Sequence, residues 1–481
     1  MSHLQAWIIA IPGALAVLSL LLPSRIGRPL TAVGGLATGI LIVVLALATA
    51  KGQSGLDALS ALFLLPVGIV YGTVGLYTSW YVEVQGVKEA PSARYRRRFL
   101  ALTNAFACAE ALVPVLTNMA GLWVAVEATT VIAALLVRLE GTDAALEAAW
   151  KYILIASCGL AIGLVGVLLL YASATTVLGF HHVPEWQAYL AAAKRLDPDA
   201  VRLAFVFALI GFGTKMGLAP MHTWLPDAHG AGPTPTSAML SGILLSDALY
   251  VILRFTAITT AAVGSHFVHT FFFIVGLLSL ALAAFVLLQQ RDLKRMLAYS
   301  SIEHMGVVAS GLGFGAPLAV AGALLHAITH ASAKSLAFQA AGRIAHRYDT
   351  REIAGIRGAM SALPYSGTLF ALAGLALAGA PPFGPFRSEL MVLAGGFSSP
   401  SWGLAFAVLG LLVIAFAGLL RWVTQMCGGE RPASVAGGED SPVAVTALVL
   451  GFLVVLGLGL IVPQPLAVLI ERSAAIVGVA P

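Results

Sequence analysis

Charge is scarce in this chain: Asp, Glu, Lys and Arg make up 10% of its 481 residues, against about 25% in soluble domains. With 59% hydrophobic residues beside it, that scarcity excludes a soluble globular protein. Cysteine is nearly absent too. Cys108, Cys158 and Cys427 lie far apart and form no Cys-x-x-Cys pair, so they neither bind a cluster nor define a disulfide framework. Long polar stretches are missing as well. The longest, near 81–98, 173–200 and 426–442, are too short for an independent core, so redox or hydrolytic chemistry is expected on partner subunits. The first apolar run lacks a basic leader and a small-residue cleavage pattern, and reads as a retained helix.

What the chain has is continuous apolar runs that do not alternate every second residue, which predicts helices and excludes a barrel. Hydropathy predicts about fourteen spans of about 20 residues, the length that crosses hydrocarbon. They fall near 4–22, 29–50, 56–80, 99–117, 119–138, 151–172, 202–220, 236–257, 267–289, 296–314, 317–342, 363–398, 402–425 and 443–470. The net charge of +5 is a topology signal and not a nucleic-acid surface. Most Lys and Arg, among them Arg25, Arg28, Lys88, Arg94 to Arg98, Arg291, Lys294, Arg295, Arg343 and Arg347, follow odd-numbered spans. Those loops are expected to be cytoplasmic, with both termini on the outer side of a bacterial or archaeal inner membrane.

Proline and glycine interrupt two spans. Ala219-Pro220 follows Lys215, and Gly379-Ala380-Pro381-Pro382-Phe383-Gly384-Pro385 precedes Glu389. Each run is expected to break its helix and free polar backbone near the midplane. Breaks in the seventh and twelfth spans, five apart, predict two inverted five-helix repeats. The expected organisation is three helices and a basic loop over 1–98, a first repeat over 99–257, a second over 258–425, and a loop with helix 14 over 426–481. The stretch 221–235, rich in Pro and Gly, reads as a loop.

The fold class expected is therefore an all-α polytopic membrane protein, and ionisable residues inside its spans stand out. A lysine at the centre of a membrane helix costs about 3 kcal/mol or more, so Lys215 is expected to face a polar interior and mark an ion path. Glu127, Glu303, His326, His330, Lys334 and Glu389 share that setting. His326, His330 and Lys334 recur at i, i+4 and i+8, on one helix face, where two imidazoles can hand on a proton. A metal there is not expected, because no carboxylate or cysteine on that helix completes a site. If Glu127 faces Lys215, their separation sets whether Lys215 holds its proton. Glu303 is either the counterpart of Glu127 in the second repeat or a charge near a helix end. His222, Asp227 and His229 are expected to anchor their loop, and His181-His182 is a weaker candidate for a metal.

Together these residues carry a resemblance. Glu127, the run Gly213-Thr214-Lys215 with His222-Thr223-Trp224-Leu225-Pro226-Asp227-Ala228 after it, the His326, His330, Lys334 series and Glu389 resemble the antiporter-like subunits of respiratory complex I, Mrp cation/proton antiporters and membrane-bound hydrogenases. Trp123 to Thr130, Ala145 to Tyr152 and Ala298 to Gly306 look most like the smaller antiporter-like subunit of hydrogenase-4-type complexes. The resemblance implies fourteen helices, a midplane chain of polar residues, and assembly with other membrane subunits and a peripheral redox arm. Iron–sulfur and NiFe centres would then sit on those partners, with no cofactor or metal in this chain. Relatives often carry Lys or His on the eighth span, where this chain has Ser241, Ser246 and Asp247, so the bridge between half-paths would rest on these and on water. His222 is a further candidate. The chain also lacks the lateral helix that some relatives use to clamp neighbours. The function expected is proton translocation in a redox complex. Alternatives are an Mrp-type Na⁺/H⁺ antiporter subunit, a proton-coupled subunit for inorganic carbon uptake, and a structural membrane anchor.

Overall fold

The structure is a computed structural model that describes residues 3–84, 92–179 and 184–479; Lys88, His181 and His182 lie outside them. Helices build it. They begin with α1 (His3–Leu21), α2 (Ser24–Ala50), α3 (Ala58–Val84), α4 (Ala93–Leu112), α5 (Met119–Arg138) and α6 (Asp143–Leu178). A short α7 (Trp186–Ala192) leads to α8 (Pro198–Met216), α9 (Trp224–Ala231), α10 (Thr234–Met239) and α11 (Leu245–Val263). Next come α12 (Ser265–Leu287), α13 (Leu293–Phe314), α14 (Pro317–Tyr348), α15 (Ala359–Ala362) and α16 (Pro364–Leu377). The chain closes with α17 (Gly384–Phe397), α18 (Trp402–Cys427), α19 (Pro442–Leu460) and α20 (Gln464–Ile476).

Local chemistry sets these boundaries. Asn118, Thr142, Asp197 and Asp292 precede α5, α6, α8 and α13, and each side chain accepts a backbone N–H that the first turn leaves unpaired. Proline opens α8, α14, α16, α17 and α19, where the missing donor costs nothing. The same tolerance corrects the loop expected over 221–235. Pro226 and Pro235 fall in the first turns of α9 and α10, so most of that stretch is helical. The last expected span is also revised, since the chain leaves helix after Leu460 and re-enters it at Gln464.

Among the described residues, ten helices are long and apolar enough to cross a membrane. The expected spans outside that set are 202–220, 296–314, 317–342 and 363–398. They are the ones that carry Lys215, Glu303, the histidine series and Glu389. Ionisable side chains lower the apolarity of the first three, and the last is two short helices, α16 and α17.

The segment Thr234–Val263 is buried up to its last turn and forms the centre of the bundle, with α3 and α14 against it. Large apolar side chains such as Leu154, Ile274, Val413 and Leu453 stay exposed on the outer helices, as a lipid-facing surface requires. Small residues let neighbouring backbones touch. A Cβ on Gly211 of α8 would stand 2.5 Å from the Gly163 Cα and 2.7 Å from the Gly159 carbonyl of α6, so these two helices pack at glycine distance.

Candidate ion pathway

Helix α8 places Lys215 in its last turn, where the carbonyl end of the helix favours a cation. The helix stops at Met216 because Gly217 takes the left-handed conformation, φ 80° and ψ 24°. Glycine therefore sets the stop, three residues before Pro220. The Lys215 ammonium is fully buried and donates to Thr130 Oγ1 at 3.0 Å and Tyr152 Oη at 2.6 Å. It also lies 4.9 Å from the centre of the Tyr152 ring. The Trp224 indole donates to the Thr214 carbonyl at 2.7 Å and packs on Tyr152, which ties α9 to the end of α8.

Glu127 is half-buried one turn from Thr130, and Ser157 donates to its Oε1 at 2.9 Å. It acts on Lys215 by charge without closing an ion pair among the described residues. Two further acids act on Lys215 in the same way: Asp247 of α11, among the expected bridging residues, and Glu110 of α4, which sequence reading missed. Both carboxyls are buried, and none of their four oxygens has a hydrogen-bond partner among the described residues. The signal for Glu110 was present, a carboxylate in the apolar run Phe106 to Leu112.

The chain passes from α10 to α11 through a π-helical turn, Leu240–Leu244, a distortion frequent at functional sites. Ser241 in that turn meets Ser301 of α13, oxygen to oxygen, at 2.8 Å. Ser246 turns back to the Gly242 carbonyl at 3.3 Å. One residue before Ser301, Ser300 accepts from Lys334, whose ammonium also donates to the Leu297 carbonyl at 2.7 Å.

Beyond Lys334 the rings gather. His326, His330 and Lys334 are fully buried on one face of α14, as their spacing predicts. His304 of α13, missed in the sequence, inserts between them, with ring centres 5.0 Å from His326 and 5.2 Å from His330. His304 Nδ1 and His326 Nε2 are hydrogen-bonded at 3.0 Å, and His326 Nδ1 reaches Ser388 Oγ at 2.8 Å. Glu303 is 3% exposed and lies 3.6 Å from His304 Nε2, deep within α13 and not at its end. Glu389 sits in the second turn of α17, with Oε1 3.7 Å from His304 Nδ1. Gly379, at φ 73°, lies against that carboxylate, where any larger residue would collide with it.

The expectation of no metal or cofactor site in this chain is corrected here. His304, His326 and Glu389 offer ligand atoms that all lie within 4.8 Å of one another, a candidate metal triad. A search along one helix could not find it, because α13, α14 and α17 each contribute one residue.

Other sequence candidates lie elsewhere. Asp227 pairs with Lys151 at 3.2 Å and Arg295 at 3.0 Å, while the buried His229 ring stacks on Phe338. His222 is nearly buried between α8 and α9, and its Nδ1 has no hydrogen-bond partner. Two buried arginines hold loops and helix ends: Arg254, absent from the sequence reading, and Arg343, expected in a loop but buried within α14. Arg254 pairs with Asp57 at 2.8 Å, and Arg343 with Glu439 and Asp440, each at 2.5 Å.

An all-helical membrane bundle with ionisable side chains aligned through its core defines a class of ion-translocating membrane subunits. The chain belongs to the family described as NADH:quinone oxidoreductase/Mrp antiporter, transmembrane, whose pattern matches residues 117–415. It is 36% identical over 417 residues to the hydrogenase-4 component F homolog of Methylacidiphilum infernorum, covering 85% of each chain. Its fold matches a chain of an archaeal membrane-bound sulfane sulfur reductase with a TM-score of 0.85, at 22% identity, over 99% of this chain and 98% of the other. A chain of the Mrp complex from Dietzia sp. DQ12-45-1b matches equally, TM-score 0.85 at 20% identity, over 99% and 97%. The family resemblance read from the sequence is borne out.

Proposed function

We propose that this chain is the proton-translocating, antiporter-like subunit of a membrane-bound redox complex of the hydrogenase-4 or complex I type. The observation that carries the reading is a row that starts at the half-buried Glu127 and runs through the buried Lys215, Glu110 with Asp247, Ser241 with Ser301, and Lys334 to the histidines and Glu389. Acids and bases alternate along it. A change of charge at one member therefore shifts the proton held by the next, across a medium that screens poorly. About seven buried ionisable groups on one axis are too costly for a static anchor.

In this reading Lys215 is the loading site of the first half-path. Thr130 and Tyr152 hold its ammonium, and the three acids around it set whether it stays charged. The serine bridge passes the proton toward Lys334, and the histidines carry it to Glu389. Redox chemistry belongs to a peripheral arm of partner subunits, whose conformational and electrostatic changes reach this chain through its neighbours in the membrane.

The same reading includes fourteen crossings in the inner membrane, two inverted repeats over 99–257 and 258–425, and both termini on the outer side. Packing supports the repeats: α5 lies on α6 as α13 lies on α14, and α6 lies on α8 as α14 lies on α17. The helix stop after Lys215 and the gap before Glu389 both contain a glycine with positive φ, Gly217 and Gly379.

The test is proton uptake by the purified complex in proteoliposomes carrying Lys215→Ala or Glu389→Gln. Both variants are expected to assemble and to lose pumping, and full pumping in both would overturn the assignment. Proton flux that requires Na⁺ would move the reading to an Mrp-type antiporter.

A further inference from the structure

Three side chains from three helices converge around His304 in a manner that a proton relay does not require. We propose that His304, His326 and Glu389 form a binding site for a divalent first-row transition metal, with Zn²⁺ the ion best matched by the donors. Two imidazole nitrogens and one carboxylate oxygen are the donors of many three-ligand zinc sites, which leave a fourth position open. Tetrahedral zinc with bonds of about 2.0–2.1 Å holds its ligand atoms about 3.3 Å apart. Here the separations are 3.0 Å between His304 Nδ1 and His326 Nε2 and 3.7 Å between His304 Nδ1 and Glu389 Oε1, while all three ligand atoms lie within 4.8 Å, so the Glu389 carboxylate has to swing inward to close the site.

The atoms behind the ligands fit as well. Ser388 has one hydroxyl proton, and the Pro385 carbonyl, 2.9 Å away, takes it. With the serine proton on that carbonyl, His326 Nδ1 donates to Ser388 and Nε2 is left as a bare lone pair aimed at His304, the tautomer a metal at Nε2 selects. On the other ring, Glu303 lies 3.6 Å from His304 Nε2, where a small shift forms the carboxylate–histidine–metal arrangement that fixes a ring and raises its basicity. Binding would move the His304 proton from Nδ1 to Nε2, toward Glu303, and Glu389 would bind as a carboxylate, giving up any proton it carries. Two carboxylates, Glu389 on the ion and Glu303 behind His304, match the charge of a divalent cation.

Unused valence points to the same place. Glu389 Oε1 has no hydrogen-bond partner, although the residue is 8% exposed. Both ring nitrogens of the fully buried His330 also lack one, with that ring 5.2 Å from His304. A cavity of about 190 Å³ bounded by Gly379, Phe386 and Leu390 reaches Glu389 and leaves the carboxylate room to move.

The consequence rests on the proton-pathway reading: an ion on His304 Nδ1 and His326 Nε2 replaces the hydrogen bond through which a proton would pass, so occupancy halts translocation. The site itself is tested without pumping. The complete complex, washed with chelator, is dialysed against Zn²⁺, and bound metal is counted while zinc K-edge absorption reads the ligands. One tight equivalent per copy of this chain, with imidazole scattering, is expected. Its loss is expected in His304→Ala and in His326→Ala, and a weakening of about tenfold or more in Ser388→Ala. Absence of a tight equivalent, or its persistence in both histidine variants, overturns the site. If a variant fails to assemble, the wild-type spectrum still decides, since zinc without imidazole scattering also overturns it. A complex that pumps but binds no zinc refutes the site alone, and one that binds zinc but never pumps refutes the pathway alone.

Discussion

Tyr152 gives Lys215 two kinds of support, a hydroxyl 2.6 Å from the ammonium and a ring face 4.9 Å away. The two can be separated. Phenylalanine keeps the ring and removes the oxygen, so Tyr152→Phe leaves Lys215 with Thr130 as its hydrogen-bond partner. A hydrogen bond to a buried charge contributes about 1.5–3 kcal/mol, which corresponds to a change of about tenfold to a hundredfold in proton occupancy. Proton uptake by Tyr152→Phe proteoliposomes is therefore expected to fall by about tenfold, with the complex intact on a sizing column. Unchanged uptake would mean that Thr130 and the three nearby acids hold the charge without the hydroxyl.

Between elements, the contact that matters for Lys215 is made by glycine. Helix α6 carries Tyr152 and α8 carries Lys215, and the two touch at Gly159 and Gly163 against Gly211. Valine at position 211 would overlap the α6 backbone and force the helices apart, a strain of about 1–3 kcal/mol. Gly211→Val is expected to lower the melting temperature of the complex and to abolish pumping, because displacing α6 removes Tyr152 from Lys215. Gly403→Ala, with nothing within 4 Å of the new carbon, is the control expected to change neither. None of this was legible in the sequence, where Gly159 and Gly163 look like many other small residues in apolar runs. Positions along one helix were legible. The spacing of His326, His330 and Lys334 gives a face at once, and uninterrupted hydropathy locates α5 to the residue. Partners on other helices were not, which is why His304 escaped notice and why the metal triad was judged incomplete, whereas Glu110 was legible as a lone carboxylate in an apolar run and was overlooked.

Across the whole molecule the two clusters of ionisable groups meet in the buried central segment, and the contact between them there is made by hydroxyls. Ser241 in the π-helical turn and Ser301 on α13 touch between the Lys215 side and the Lys334 side, oxygen to oxygen at 2.8 Å. In the proposed route the step across this helix rests on these hydroxyls and on Asp247. The double variant Ser241→Ala with Ser301→Ala removes that bridge and leaves every formal charge in place. Because neither residue is ionisable, the fields that hold Lys215 and Lys334 should persist and assembly should be unaffected. Losing one hydrogen-bonded step raises the barrier by about 1–1.5 kcal/mol, so uptake is expected to fall by about tenfold. If uptake instead equals that of the wild type, the proton crosses elsewhere, and the route from Asp247 to Lys334 must be carried by water in the core.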